Sequence, residues 1–272
     1  MLTYPEFDPV ALALGPVRIR WYGLMYVLGF LAAWWLGRRR AAGPQSSWRA
    51  VDVDDLIYYL VFGVILGGRI GWLLFYGHEA LAADPSYWYK IYQGGMSFHG
   101  GLIGVALALA LFAHRRGRAL GDVYDFTAPL TPIGLLTGRI GNFINGELWG
   151  KPTTLPWGFA VPQPDGSHPV LHPSQLYEAG LEGLLLFAIV WGYTARPRPR
   201  WAPTGVFLVG YASVRILIEF VRVPDTQLGY LAAGWLTMGM LLSLPMLLGG
   251  LALILIGYRA ATPSGNTVAS GR

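Results

Sequence analysis

The sequence predicts an all-α polytopic membrane protein with seven transmembrane helices and a small cap outside the bilayer, and three observations carry that prediction. Of 272 residues, 54% are hydrophobic and 13% charged, against roughly 45–50% and roughly 25% in soluble domains. Several apolar stretches approach the length of about 20 residues that crosses a hydrocarbon core of roughly 30 Å. Basic residues collect where those stretches end. This composition excludes a disordered chain, a collagen-like repeat and a disulfide scaffold.

The seven helices are expected at about 20–37, 55–76, 98–113, 128–145, 175–193, 204–221 and 235–257, within a single transmembrane catalytic domain over 1–260. The first opens on Trp21 and Tyr22, which with Trp191, Trp201 and Trp235 suit an interfacial aromatic belt. The fourth is the least apolar, because Pro129, Pro132 and a run of Gly, Thr and Asn interrupt it. Arginines at 38–40, 115–118, 196–200 and 259 follow the first, third, fifth and seventh stretches. With seven crossings all of them face the cytoplasm, the N-terminus lies outside and the C-terminus inside. The Pro- and Gly-rich stretch 148–174 reads as the cap, and 261–272 as a flexible cytoplasmic tail. The N-terminus has no basic n-region, so no cleaved signal peptide is expected. No internal repeat of matching broken helices is visible, which weakens a transporter reading.

The formal charge of +5 comes from arginines at span ends, so the membrane accounts for it and no nucleic-acid partner is expected. With no cysteine in the chain, any thiol in its chemistry comes from a substrate. No cluster has metal-ligand spacing, and no metal or other cofactor is expected.

Ionisable groups inside a membrane are costly, roughly 2.5–3.5 kcal/mol for a central Arg, and call for a partner or a function. Here they are Arg69, Arg139, Arg215 and Glu219, with Glu147, Glu182 and Arg222 as further members. In the seven-crossing topology they converge, with Tyr22 and His99, on the outer half of the bilayer. Tyr211, Arg215, Glu219 and Arg222 form one helical stripe, in which Arg215 and Glu219 pair either as a structural tether or as part of a site. Arg139 has no carboxylate three or four residues away, so its charge is met from another helix or by an anionic ligand, and the ligand is the favoured reading. Ser97 and His99 point to different helix faces and make no nucleophilic dyad. His99 itself is either a base or a ring bonded to a carbonyl. The 172–178 run reads as a helix start with a mainly structural role. Gly63/Gly67/Gly71, Gly100/Gly104 and Gly134/Gly138 are assigned to helix packing.

The run Gly138-Arg139-Ile140-Gly141-Asn142-Phe143-Ile144-Asn145-Gly146-Glu147-Leu148-Trp149-Gly150 closely resembles the signature of the bacterial prolipoprotein diacylglyceryl transferases. The resemblance extends in order to the Trp21–Tyr26 segment, Gly94–Gly101, His172–Glu178 and Arg215–Arg222. It implies transfer of the diacylglyceryl group of phosphatidylglycerol to the lipobox cysteine of a preprolipoprotein, forming a thioether and releasing glycerol phosphate. It further implies a seven-helix inner-membrane enzyme whose active site faces the periplasm and which needs no cofactor. By resemblance, His99 is the candidate base, and Arg139 and Arg215 bind the phosphate. Tyr22 and Asn142 orient the headgroup, while Glu147, Gly150, Tyr211 and Glu219 complete the phosphatidylglycerol site. A transporter or flippase of an anionic lipid is the alternative, since it too would use buried arginines, and a purely structural membrane scaffold is a third reading.

Overall fold

Five helices, not seven, are long and apolar enough to cross a membrane in the computed structural model, which describes residues 1–15, 17–44, 46–224 and 229–262. They are Ala50–Phe75 (α2), Phe98–Arg115 (α4), the continuous helix Ser174–Tyr193, Ala202–Glu219 (α9) and Met238–Ala261 (α10). The helix expected first, Trp21–Ala41 (α1), has 21 residues, but its Trp, Tyr and Gly content and its terminal Arg38, Arg39 and Arg40 dilute its apolarity. The helix expected fourth is only Thr131–Ile144 (α6), about 21 Å at roughly 1.5 Å per residue, which is too short for the hydrocarbon core. Pro132 sits in its first turn, and the chain before it forms the separate short helix Leu120–Thr127 (α5). The seven-crossing topology is therefore corrected to five candidate spans, and the assignment of the termini that rested on it goes with it. The protein remains an all-α polytopic membrane protein. The tail expected at 261–272 lies, beyond Thr262, outside the described residues.

The chain forms two compact units, Phe30–Tyr124 and Met1–Gly29 with Asp125–Arg272. In the first, α2 and α4 pack through glycines: a Cβ on Gly63 would stand 2.8 Å from the Gly104 carbonyl, and one on Gly71 2.7 Å from Gly100 Cα. Small residues allow such contact where lipid offers no hydrophobic drive between helices. The loop before α4, which contains the short helix His78–Ala83 (α3), is fastened by Arg69. That buried guanidinium donates to the carbonyls of Tyr87, Trp88 (3.1 Å), Gly94 (2.8 Å) and Gly95 (3.0 Å). Backbone oxygens meet the charge of Arg69.

In the second unit, α9 and α10 approach through Gly205 and Gly250. Asp125 secures the start of α9 by accepting from Trp201 N (2.6 Å), Thr204 N (3.0 Å) and Thr204 Oγ1 (2.6 Å). A Cβ on Gly134 or Gly138 would meet nothing within 4 Å, although one on Gly29 of α1 would stand 3.4 Å from Gly134 Cα, so of that pair only Gly134 lies at a close helix approach. The Ser174–Tyr193 helix starts as Ser174–Glu178 (α7), winds as a π-helix over Ala179–Leu185 and ends as Leu186–Tyr193 (α8). Outward-facing Leu241, Leu244, Leu248, Leu251 and Leu255 leave α10 an apolar exterior, as a lipid-facing helix requires.

The unit also contains strands that local pattern did not suggest. Leu2–Thr3 (β1) pairs in parallel with Phe159–Ala160 (β4), which pairs antiparallel with Val170–Leu171 (β5). Pro152 bridges Leu171, and Gly150 bridges Arg222. The 148–174 cap is thus one ladder running from the N-terminus to the end of α9. A separate hairpin, Val10–Leu14 (β2) with Val17–Arg20 (β3), leads directly into α1.

Candidate functional site: a buried arginine–carboxylate cluster

Three helices place ionisable side chains around one carboxylate. Glu178, fully buried on α7, accepts from Arg215 Nη1 and Arg222 Nη1 at 2.8 Å each through Oε1, while Oε2 lies 3.2 Å from Arg139 Nε. Glu182, four residues on within the π-helical turn, accepts from Arg139 Nε (3.3 Å) and Nη2 (3.2 Å). Glu178 and Glu182, four residues apart across the start of the π winding, meet the same guanidinium, and such turns recur at functional sites. Glu219 completes the set: Oε1 lies 2.5 Å from Arg215 Nη2 and 3.5 Å from Arg222 Nε.

Glu219 is in turn supported by the start of α10. Thr237, the N-cap of that helix, donates through Oγ1 to Glu219 Oε2 at 2.6 Å and accepts from Met240 N. A Cβ on Gly239 would stand 2.6 Å from Glu219 Oε1, so the carboxylate occupies space that only glycine leaves open. The positive end of α10 lies beside this anion, an arrangement that favours it.

Three arginines and three glutamates balance formally. The charge of Arg139 is thus met in part from another helix, by Glu178 and Glu182. Even so, the guanidiniums are not sealed off: the side chains of Arg139, Arg215 and Arg222 keep 18, 17 and 13% exposure while Glu178 and Glu182 have none. A guanidinium carries five donors, and Arg139 Nη1 has no partner among the described residues. Tyr211 stands among Glu182, Arg139 and Arg215 and stacks on Phe207 at 6.1 Å.

A second polar group caps the end of α6. Asn142 Nδ2 donates to Glu147 Oε1 at 2.8 Å, and Asn145 Nδ2 approaches the same oxygen at 3.4 Å. The Tyr22 hydroxyl lies 3.4 Å from that of Tyr26 and within reach of Asn142, and its ring rests against Gly141. Tyr4 reaches in from the N-terminus, its hydroxyl 2.9 Å from the carbonyls of both Phe143 and Ile144. α7 is tied to the same corner, with Ser174 Oγ donating to Leu148 O (2.6 Å) and Gln175 Nε2 to Glu147 O. Gly150 is held in the cap ladder, where a Cβ would stand 2.5 Å from the Val221 carbonyl and 2.8 Å from His172 Cβ. No side chain fits there.

Of the residues singled out from sequence, Tyr22, Asn142 and Glu147 come together at the α6 end. Arg139, Arg215, Tyr211 and Glu219 come together around Glu178, and Gly150 joins the cap to Arg222. His99 belongs to the other unit, exposed in the first turn of α4, which Ser97 caps by accepting from Gly100 N at 3.2 Å. Glu178 was passed over as an ordinary helix-start acid. Its signal was present, since Glu178 and Glu182 are two acids four apart at the head of an apolar span, the spacing of partners for arginines on neighbouring helices.

Fold and site together define a multi-pass membrane protein that keeps a largely buried arginine–carboxylate cluster, its guanidiniums partly exposed, beside a cap. The family whose model matches, over residues 9–256, is prolipoprotein diacylglyceryl transferase. The chain is 58% identical over 255 residues to the phosphatidylglycerol–prolipoprotein diacylglyceryl transferase of Oleidesulfovibrio alaskensis, covering 93% of this chain and 94% of that one. The protein of the same name from Nitratidesulfovibrio vulgaris strain Miyazaki F is 57% identical over 96% of this chain and 98% of its own. For that of Azotobacter vinelandii the figures are 54%, 95% and 97%. This chain belongs to the prolipoprotein diacylglyceryl transferase family.

Proposed function

We propose that the cluster around Glu178 holds the phosphate of phosphatidylglycerol while the diacylglyceryl group is transferred. The protein is a transferase that moves this group from phosphatidylglycerol to the cysteine thiol of a prolipoprotein. In the reaction the sulfur attacks the glyceryl carbon, the bond from that carbon to the phosphate oxygen breaks, and its electron pair leaves with glycerol phosphate. A thioether forms, and the thiol proton passes to a base. Charge grows on the departing phosphate, so donors aimed there lower the barrier most where water is excluded.

The observation that carries the assignment is that one buried carboxylate gathers three partly exposed guanidiniums. Glu178 fixes the directions of Arg139, Arg215 and Arg222, leaving their remaining N–H groups for phosphate oxygens. Arg suits the task because its planar fork takes two such oxygens and stays charged in an apolar site. Asn142, Glu147 and Tyr22 line a polar corner for the glycerol hydroxyls, with Gly150 letting the cap backbone close on Arg222. His99 is assigned the thiol proton on the family motif alone. A free thiol near pKa 8.5 is mostly protonated at neutral pH, so a base or a cationic field is needed.

We place this chemistry at the periplasmic face of the bacterial inner membrane. Arg196, Arg198 and Arg200 lie in the connection between α8 and α9, and Gly257 of α10 packs against the Arg200 carbonyl. The basic end of these helices is thus opposite the cap and the Glu178 cluster, and basic loops face the cytoplasm.

The test is incubation of purified protein in nanodiscs with phosphatidylglycerol and a lipobox peptide, following peptide mass and released glycerol phosphate. The peptide gains one diacylglyceryl unit in step with glycerol phosphate, and a Cys→Ser peptide gains none. Arg139→Lys keeps the charge but loses the fork and drops kcat/KM by about a hundredfold, the loss of one strong charge-assisted contact. Full activity of this variant, or lipid movement with no product, refutes the assignment.

A further inference from the structure

The cap carries a groove of about 500 Å³ that shares only Gly150 with the phosphate site. Pro152 and Leu171 are bridge partners, Val161 N donates to Pro169 O, and Pro169, just before β5, is two residues from Leu171 along the same extended segment. Residues so related share one face of a ladder, and all four line the groove. Its lining reaches Gly150, whose backbone is bridged to that of Arg222, so one end of the groove lies next in the ladder to a member of the arginine cluster.

Its chemistry selects among the molecules the enzyme handles. Pro152, Pro162, Pro164 and Pro169 in the wall have no N–H to donate. Among the groove side chains the only amide is that of Gln163 and none is charged. An anionic headgroup needs donors and finds them on Arg139 and Arg215, not here. Acyl chains already have the bilayer as their solvent, and the groove belongs to the cap ladder between α6 and α7. What fits an apolar, uncharged and donor-poor groove on a small sheet is an uncharged, extended peptide with small apolar side chains.

We propose that this groove, over Pro152, Val161, Pro162, Gln163, Pro169 and Leu171, seats the uncharged extended segment of the prolipoprotein next to its cysteine, delivering the thiol to the phosphate site past Gly150. The proposal rests on the transferase reading and adds the place of its second substrate. Gln163 and Pro162 are half-buried and outside the charged cluster, so changing them leaves the phosphate site intact.

Full-length protein in phosphatidylglycerol nanodiscs, with Gln163 replaced by the photoreactive p-benzoyl-phenylalanine, is illuminated with labelled lipobox peptide. A crosslink to the peptide, suppressed by excess unlabelled peptide, is expected. A crosslink only to lipid, or none, overturns the proposal. In parallel, Pro162→Asp places an unpartnered charge in the groove and raises the KM for peptide about tenfold, leaving kcat and the KM for phosphatidylglycerol within about twofold of wild type. An unchanged peptide KM, or a change confined to the lipid KM, overturns it equally. Should Pro162→Asp not fold, the crosslink decides. If the wild-type protein transfers nothing, the transferase reading fails instead, and crosslinking still reports whether the peptide occupies the groove.

Discussion

Gly239→Ala separates two opposing physical effects at the edge of the arginine cluster. Gly239 is the second residue of α10, and helix propensity alone makes Ala the better residue by roughly 1 kcal/mol. The tertiary surroundings say the opposite: the new Cβ would stand 2.6 Å from Glu219 Oε1, 2.7 Å from Cδ and 3.0 Å from Oε2. Ordinary carbon contacts begin near 3.5 Å, so the carboxylate must retreat by about half an ångström to one ångström. Glu219 is nearly buried and bound to Arg215 at 2.5 Å and to Thr237 at 2.6 Å, so that retreat breaks at least one bond. A hydrogen bond to a charged group contributes about 1.5–3 kcal/mol, equivalent to roughly tenfold to a hundredfold in a rate or binding constant. Gly239→Ala is therefore expected to lower kcat/KM for diacylglyceryl transfer by that factor, and Thr237→Val, which removes one support, to lower it less. The assay is initial-rate transfer to a lipobox peptide, with a thermal melt in the same detergent. A Gly239→Ala protein with wild-type activity and a raised Tm would show that propensity wins and that Glu219 does not set the arginines.

Two further predictions concern other parts of the molecule. Arg69→Leu leaves four loop carbonyls without their donor, at about 1–3 kcal/mol for each buried group left unsatisfied; the Tm should fall and limited proteolysis should cut within 84–96, whereas an intact loop would sink the idea. His172 is held below the usual histidine range, chiefly by burial and next by the charge of Lys151; its Nδ1 lies 3.2 Å from the Tyr177 hydroxyl, which itself accepts from Trp157 Nε1 at 2.8 Å. The unfolded chain then binds more protons than the folded one, so this contribution is present above about pH 6.5 and is lost as pH falls through the lower folded value. The Tm should drop between about pH 7 and 5, and His172→Gln should flatten that slope; an equal slope in the variant would remove His172 as the cause.

Membrane class and the five long apolar helices were legible in the sequence because bilayer crossing is written locally, in length and apolarity. α2, α4, α9 and α10 fall within a few residues of their expected places. The remaining two expected crossings fail on local grounds that counting apolar residues blurs, aromatic and basic dilution in α1 and proline-limited length in α6. Arg215 with Glu219 was readable as an i, i+4 pair. The cap ladder was not, since Leu2 and Thr3 find their partners only at Phe159 and Ala160, and a two-residue strand has no pattern of its own.

What the sequence by itself determined is which side chains are costly in a membrane and which family motif they belong to, because both depend on residue type and spacing alone. Only the tertiary structure decided that Arg139, Arg215 and Arg222 share Glu178, that Gly239 makes room for Glu219, and that Gly150 closes the cap on Arg222. These are contacts across 37 to 44 residues in the bonds of Glu178 to Arg215 and Arg222. A buried charge must find its partner wherever the chain brings one, and no local pattern names that partner before the helices pack.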